Sequence, residues 1–250
     1  MSEKVYMVSV VRDFEMYGNC ILDNPLCRSL NIVTIDNREE NLGIPLRYNC
    51  ILDTLEEDGW IVFCHEDWMP ECDLQSILSG LDKDCLYGPI GVFVEERRNR
   101  DFIFMHGEAK NCGKDGKSFK TIYGVETCAR VDCFDCQCLI VHSSLVKRYS
   151  LRFDENLFFD MYVEDFCVNA FEKYGVISRT IKIECTHFSR GSINARFHSS
   201  LDYVREKYKS GKKRYATIVG RHNTFGRNVD KPVSKYRNNL LGKVWYRLNK

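Results

Sequence analysis

The apolar residues of this chain fall into short runs of strand length, and polar residues follow each run at once. Residues 5–11, 30–35 and 60–64 are rich in β-branched and other apolar side chains, as buried strands are. The segments between them have helical length: one lies around residues 20–29, and another starts near Pro45. This alternation predicts βαβ units, in which the polar groups after parallel strands meet at the ligand-binding edge of the sheet.

The rest of the chain continues with strands and helices of ordinary length. In order, the pattern predicts a helix over residues 74–81, a strand over 88–94, short strands from 101 to 141 with a hairpin turn at 111–116, a helix over 162–174 and a strand over 176–186. Gly175 is a typical helix end, and the last strand leads directly to His187. We therefore expect an α/β fold.

The composition is that of a folded domain and not of a fibrous or disordered chain. With 250 residues and 44% apolar side chains, the chain can bury a core that needs no disulfides. No run approaches the length of a membrane span, and the first residues lack a signal-peptide pattern, so we expect a cytoplasmic protein. Its 13 cysteines are then expected as free, mostly buried thiols. The alternative is a zinc site at Cys133, Cys136 and Cys138, with Cys128 and Cys112 upstream.

The net charge of +1 conceals a strong asymmetry along the chain. Residues 205–250 contain 14 Lys or Arg and only two acids, a balance of +12, which leaves −11 for residues 1–204. An acidic body and a basic C-terminal extension are expected to have different partners. The charge pattern therefore predicts a domain at 1–204 and a basic, helical extension at 205–250.

Two acidic pairs are candidates for chemistry. Glu66 and Asp67 come directly after a buried strand, where carboxylates suit a hard divalent cation that bridges phosphates. Glu164 and Asp165 lie in the first turn of the helix over 162–174, where the helix dipole favours a carboxylate. Each pair has a structural alternative, because strands end at polar residues and acids cap helices.

The order of these motifs resembles a known enzyme family. The motifs are, in order, the strand through residues 8–11, the strand end at Asp36-Asn37, the helix containing Asn49, the triplet His65-Glu66-Asp67, and the later segments Phe153-Asp154-Glu155 and 162–166. Together they are similar to family 2-like nucleotide-sugar glycosyltransferases. The nearest branch replaces Asp-x-Asp by His-x-Asp, and the resemblance spans residues 5–191. It implies a GT-A-type fold, a Rossmann-like mixed sheet flanked by helices.

The resemblance also implies roles for individual residues. Those implied to bind the nucleotide sugar are Val11, Arg12, Asp13, Asp36, Asn49, His65, Glu66, Trp68 and Arg190. A divalent metal, Mn²⁺ or Mg²⁺, is implied at Asp67 with His65 and His187, where histidine favours Mn²⁺. Asp165, with Glu164 beside it, matches the base that takes the proton of the acceptor hydroxyl in inverting members. Trp68 is equally compatible with the core.

The resemblance implies an inverting sugar transfer from a UDP-sugar to a hydroxyl of a glycan or lipid-linked acceptor. Such a reaction serves the synthesis of a surface polysaccharide or glycoconjugate. A sugar-nucleotide nucleotidyltransferase is one alternative, although residues 12–18 do not form a Gly-rich phosphate loop. A non-catalytic nucleotide- or nucleic-acid-binding protein is the other.

The basic extension mixes Lys and Arg with aromatic residues such as Trp245 and Tyr246. Such a composition suits either nucleic acid or an anionic membrane surface. Because the resemblance implies a lipid-linked acceptor, we expect peripheral contact with an anionic membrane at the inner face and no nucleic acid as a partner. The alternative is that residues 205–250 fold back onto the acidic body, with their charges facing each other.

Overall fold

The computed structural model describes residues 3–113, 119–189, 193–219, 223–236 and 240–248. The strands are β1 (Lys4–Val11), β2 (Asn31–Asp36), β3 (Gly59–Cys64), β4 (Trp68–Pro70), β5 (Cys85–Gly88), β6 (Ile90–Glu95), β7 (Asp101–Cys112), β8 (Phe119–Tyr123), β9 (Arg130–Val131), β10 (Cys133–Phe134), β11 (Cys138–His142), β12 (Ile177–Thr180), β13 (Cys185–His187), β14 (Arg214–Ala216), β15 (Thr224–Gly226) and β16 (Val233–Tyr236). The α-helices are α1 (Phe14–Tyr17), α2 (Ile44–Thr54), α3 (Leu74–Leu78), α4 (Ser143–Tyr149), α5 (Tyr162–Tyr174), α6 (Ala195–Tyr208) and α7 (Leu240–Leu248).

The first sheet contains the three strands predicted from the opening apolar runs. Its order is β2-β1-β3-β11-β5-β12-β9, and β1 runs parallel to both β2 and β3. The alternate residues of β1 and β3 are buried in cores on opposite faces: Val8 and Phe63 face one core, and Met7 and Val62 face the other. A strand buried on both faces reads as a continuous apolar run, which is the pattern that the sequence shows.

The connection between β1 and β2 differs from the predicted single helix around residues 20–29. Helix α1 begins earlier, where the Asp13 side chain accepts a hydrogen bond from the amide of Met16, and it continues as a π-helical turn at Gly18–Leu22. A separate 3-10 turn, Pro25–Cys27, follows. Pro25 has no N–H to donate to a continuing helix, so a new turn must start there.

The second sheet holds the antiparallel pair β7 and β8, which flank the predicted turn at 111–116, and residues 114–116 of that turn lie outside the described residues. Its order is β10-β6-β7-β13-β4, and β8 and β16 also pair with β7. The predicted strand over 176–186 is two strands in different sheets, because the chain leaves β12, which pairs with β5, and then enters β13, which pairs with β7 and β4. Helix α5 has the bounds predicted for it, and Gly175 ends it at φ +74°, a conformation that favours glycine.

The basic C-terminal segment is built into the body. The charge boundary at residue 204 falls inside α6, and the side chains of Tyr215 and Phe225 are completely buried in the main core. Lys213 pairs with Asp132 at 2.8 Å, and Lys231 pairs with Asp101 at 2.7 Å. The alternative in which this segment folds onto the acidic body therefore applies to residues 205–219 and 223–236, which form strands as well as the end of a helix.

The C-terminal helix α7 packs on the outside of the second sheet. The indole of Trp245 lies against the rings of Phe102 and Phe104, with centroids 4.7 and 5.5 Å apart. Among the helices that the structure describes, none combines the length and the apolar character that crossing a membrane requires.

The burial of Phe225 predicts that the C-terminal segment and the body unfold together. Truncation of a fully buried phenylalanine leaves a cavity, so Phe225→Ala should lower the free energy of unfolding by about 3–5 kcal/mol, measured by urea denaturation. Phe119→Ala, at an exposed position in β8, is the matched control and should change it by less than about 1 kcal/mol. Equal free energies of unfolding of the two variants would contradict the conclusion that the C-terminal segment shares one core with the body.

Candidate active site

A cavity of about 700 Å³ opens beside the carboxyl end of β3. Strands, three helices and the loops between them contribute to its wall, which includes Val10, Ile44, Tyr48, His65, Glu66, Asp67, Asp135, Cys136, Phe159, Asp160, Met161, Glu164, His187, Arg196 and Phe197. The cavity thus collects the triplet after β3, the start of α5, the end of β13 and the start of α6. This is the sheet edge at which the βαβ pattern predicts a ligand site.

Strand pairing brings His187 next to Asp67, although 120 residues separate them in the sequence. Strand β13 pairs antiparallel with β4, with His187 opposite Trp68, and the amide of Phe188 donates to the carbonyl of Asp67 at 2.9 Å. The imidazole Nε2 of His187 consequently lies 3.2 Å from Oδ1 of Asp67. His65 Nδ1 lies 4.0 Å from the same oxygen.

The donor set of His65, Asp67 and His187 fits a divalent cation. One ligand atom from each side chain lies within 4.8 Å of the others, and no other such group forms in the part of the chain that is described. Asp67 Oδ1 and His187 Nε2 are buried, yet the described residues offer neither a hydrogen bond of favourable geometry. Buried polar atoms need a partner, and two nitrogens with one carboxylate oxygen suit Mn²⁺ better than Mg²⁺.

A hydrogen-bond relay orients the His65 ring for this role. The hydroxyl of Tyr162 donates to the carbonyl of Cys136 at 3.0 Å and lies 3.1 Å from Nε2 of His65. Because the hydroxyl has one proton and gives it to Cys136, it accepts from His65, so Nε2 carries the imidazole proton. The lone pair is then on Nδ1, the atom that faces Asp67, as expected of a ligand held by a neighbouring hydrogen bond.

The charges of these three groups depend on one another. Burial tends to raise the pKa of Asp67, but the imidazole of His187, 3.2 Å away, and that of His65 outweigh burial and lower the pKa to about 2. Burial tends to lower the pKa of His187, and the Asp67 carboxylate reverses the shift and raises it. Burial lowers the pKa of His65. The donor set therefore combines a carboxylate that stays ionised, an imidazole whose protonated form this carboxylate favours, and an imidazole whose neutral form burial favours.

Glu164 is the carboxyl group that the first turn of α5 presents to the cavity. Helix α5 follows Met161, a buried residue held at φ +68°, which is a strained conformation for a side chain of this size. Glu164 is buried, and the Cys136 thiol donates to its Oε2 at 3.1 Å. Burial raises the pKa of Glu164 to about 8.

Asp165 does not line the cavity. Its carboxylate lies 2.7 Å from Nζ of Lys207 and accepts a 2.8 Å hydrogen bond from the Tyr208 hydroxyl, and both partners are on α6. Lys207 also contacts Asp154 at 2.5 Å. Burial raises the pKa of Asp165, an effect that Lys207 opposes. Of the two predicted acids, the structure places Glu164 in the cavity and uses Asp165 to join α5 to α6.

The residues predicted around the nucleotide lie along the neighbouring strand ends. Glu66 lines the cavity, and its Oε2 accepts hydrogen bonds from the amides of Arg12 at 2.5 Å and Asp13 at 2.9 Å. It thereby fixes the loop after Val11 at the end of β1. Asp36, at the end of β2, is half exposed and pairs with Arg38 at 2.6 Å. Val11, Arg12, Asp13 and Asp36 are not part of the cavity wall.

Two further predicted residues have structural roles, and one cannot be placed. The Asn49 amide donates to the carbonyl of Phe153 and accepts from its amide, both at 3.0 Å, so it fastens α2 to the segment before α5. Trp68 is completely buried in the second core and does not reach the cavity. Arg190 lies outside the described residues.

Sequence reasoning missed a group at the mouth of the cavity. The guanidinium of Arg196 donates through Nε to Asp160 at 2.6 Å and lies 4.5 Å from the centre of the Phe159 ring. Phe159 in turn stacks on His65 at 5.6 Å. Phe159 and Asp160 directly precede α5, but no local motif marks Arg196, because only the packing of α6 brings it here.

The sequence matches no known family model and no curated protein. The fold is nevertheless shared with solved glycosyltransferases. GalNAc-T7, crystallised with UDP, GalNAc and Mn²⁺, aligns with 83% of this chain and 49% of its own at a TM-score of 0.52 and 8% identity. Residues 1–349 of S. aureus TarS give a TM-score of 0.50 at 12% identity, over 84% of this chain and 66% of that one.

These similarities confirm the predicted GT-A-type glycosyltransferase fold, with its mixed sheets flanked by helices and its C-terminal helix. The chain spans about half of the GalNAc-T7 chain and about two thirds of the TarS chain. At these identities the similarity concerns the fold alone. The activity has to be argued from the cavity.

The raised pKa of Glu164 predicts that the protein loses stability as the pH rises. A carboxyl group with a pKa of about 8 when folded, against 4.5 ordinarily, keeps its proton after the unfolded chain has lost it. Its contribution is complete below about pH 4.5 and is lost as the pH rises through about 8. Glu164→Gln cannot ionise, so its Tm should fall less than that of the wild type between about pH 5 and about pH 9.

The control for this comparison is Glu56→Gln, at an exposed position between α2 and β3. Its Tm should follow the pH dependence of the wild type. If Glu164→Gln did the same, the buried carboxyl group would not have the raised pKa described here.

Proposed function

We propose that this chain is an inverting, family 2-like glycosyltransferase that moves a sugar from a nucleotide-sugar donor, a UDP-sugar, to a hydroxyl of a glycan or lipid-linked acceptor. Such a reaction would serve the synthesis of a surface polysaccharide or glycoconjugate. The observation that supports it is a single cavity of a GT-A-type fold that holds both the His65, Asp67 and His187 donor set and the buried carboxyl group of Glu164. Donor activation and proton acceptance are then available at one place.

The donor set would hold Mn²⁺ or Mg²⁺ through the imidazoles of His65 and His187 and the carboxylate of Asp67. A cation bound there would supply positive charge for the diphosphate leaving group. Arg196 provides a second positive charge at the same cavity, since only its Nε is occupied by Asp160 among the described contacts. The loop of residues 11–13, which Glu66 orders, and Asp36 would contact the nucleoside.

Glu164 would act as the base. The acceptor oxygen attacks the anomeric carbon from the face opposite the diphosphate, the bond from that carbon to the phosphate oxygen breaks with its electrons, and the acceptor proton passes to a carboxylate oxygen of Glu164. Attack from the opposite face inverts the configuration, and no covalent enzyme intermediate is required. Asp165 is adjacent in sequence but serves as a positioning residue, because Lys207 and Tyr208 occupy its carboxylate.

The donor and metal assignments can be tested by thermal shift. A ligand that binds only the folded state raises the Tm by mass action, so UDP with Mn²⁺ should raise it more than UDP alone, GDP or CMP. In Asp67→Asn the gain due to Mn²⁺ should disappear. Asp36→Asn, which removes a carboxylate outside the donor set, should keep that gain even if UDP binds more weakly. No shift with any nucleotide would contradict the proposal.

The assignment of the base can be tested by kinetics. Glu164→Gln should lower kcat by about 100-fold or more, leave the UDP and Mn²⁺ thermal shift intact, and remove the rise of wild-type activity toward pH 8. Glu56→Gln should retain wild-type kinetics. Asp165→Asn should lower the Tm with a smaller effect on kcat per folded molecule.

Turnover in Glu164→Gln near that of the wild type would exclude Glu164 as the base. Formation of pyrophosphate from a nucleoside triphosphate would instead identify a nucleotidyltransferase.

A further inference from the structure

Helix α7 has two faces of different character. One face is fixed to the body: Trp245 lies against Phe102 and Phe104, and Tyr246 donates a 3.3 Å hydrogen bond to Glu126. The other face carries Leu241, Val244 and Leu248, which share one side at helical spacing. Leu241 and Leu248 are 77% and 79% exposed, and Val244 is 44% exposed. A docked helix that keeps two leucines in water presents a surface suited to an apolar partner.

Positive charge surrounds this apolar stripe. Lys243 and Arg247 lie on α7 itself, and within the described part of the chain neither of them contacts a carboxylate. The turn between β6 and β7 adjoins the helix, since Arg97 lies 5.0 Å from the Trp245 ring, and the same turn carries the exposed Arg98 and Arg100. The last 20 residues contain six Lys or Arg and no acid.

The acids near α7 are already engaged within the protein. Glu95 pairs with Arg97 at 2.6 Å, Asp101 with Lys231 at 2.7 Å, and Glu126 with Tyr246. The surface formed by α7 and the β6–β7 turn therefore faces outward with leucines and cations together. An anionic lipid surface matches both features, because acyl chains cover the leucines while headgroups pair with the Lys and Arg side chains.

We infer that α7 and the β6–β7 turn form a docking surface for an anionic membrane. Three apolar side chains on a helix of nine residues are too few for deep insertion, so binding depends on apolar burial and charge acting together. The inference is independent of glycosyl transfer, since it concerns a surface outside the cavity.

Vesicle sedimentation tests the inference without any activity readout. The protein should pellet with vesicles of phosphatidylcholine that contain about 30% phosphatidylglycerol, stay in solution with phosphatidylcholine alone, and be released by salt. The double variant Leu241→Glu, Leu248→Glu should bind at least about tenfold more weakly. The matched control is Leu22→Glu, Leu26→Glu, which changes two exposed leucines outside α7 by the same charge and should bind as the wild type does.

Trp245 offers a second measurement that identifies the helix involved. The other two tryptophans, Trp60 and Trp68, are buried in the core, so quenching of fluorescence by brominated lipids in the same vesicles should report Trp245. Lys243→Gln, Arg247→Gln should lose the salt-sensitive part of binding without altering the packed face of the helix. Equal Tm values for all variants in solution confirm that each is folded.

Three results would overturn the inference. The wild type could remain in solution with the anionic vesicles at low salt, or the Leu241→Glu, Leu248→Glu variant could bind as well as the control variant. Light scattering could also show a dimer that this variant dissociates, in which case a second copy of the chain covers the leucines.

Discussion

A carboxyl group that is removed from water must either meet a cation or keep its proton, and four acidic side chains are buried among the residues that the structure describes. Asp101, Asp132 and Asp165 each meet a lysine of the C-terminal segment: Lys231, Lys213 and Lys207. Leaving any of these acids without its partner would cost several kcal/mol. The C-terminal segment is thus the counter-charge of the core, which explains how a body of −11 and an extension of +12 form one molecule.

The fourth buried acid, Glu164, meets no cation among the described residues, and a thiol is its hydrogen-bond donor. This exception lies at the cavity, where a proton acceptor of raised pKa is useful for chemistry at neutral pH. Two adjacent residues of one helical turn thereby differ in environment and in role. Asp165 is neutralised and holds two helices together, whereas Glu164 remains available.

The sequence predicts the parts of this structure that depend on local pattern. Strands β1 to β3 and helix α5 follow from apolar periodicity, and the triplet His65-Glu66-Asp67 follows from the end of a buried strand. The pattern could not decide between Glu164 and Asp165, because consecutive helical residues point about 100° apart and the choice depends on what packs on each side. The place of Arg196 in the cavity and the hydrogen bonds of Asn49 to Phe153 depend on contacts between segments that are distant in the sequence. No local sequence pattern predicts such contacts.

Helix α6 has a role at each of its ends. Its first turn brings Arg196 and Phe197 to the cavity, and its last turn delivers Lys207 and Tyr208 to Asp165, while β14 to β16 follow it in the chain. During synthesis, the ribosome makes the residues of the cavity near Asp67 long before α6 exists. The nascent chain therefore cannot complete its cavity until translation has passed this helix and the strands that anchor it.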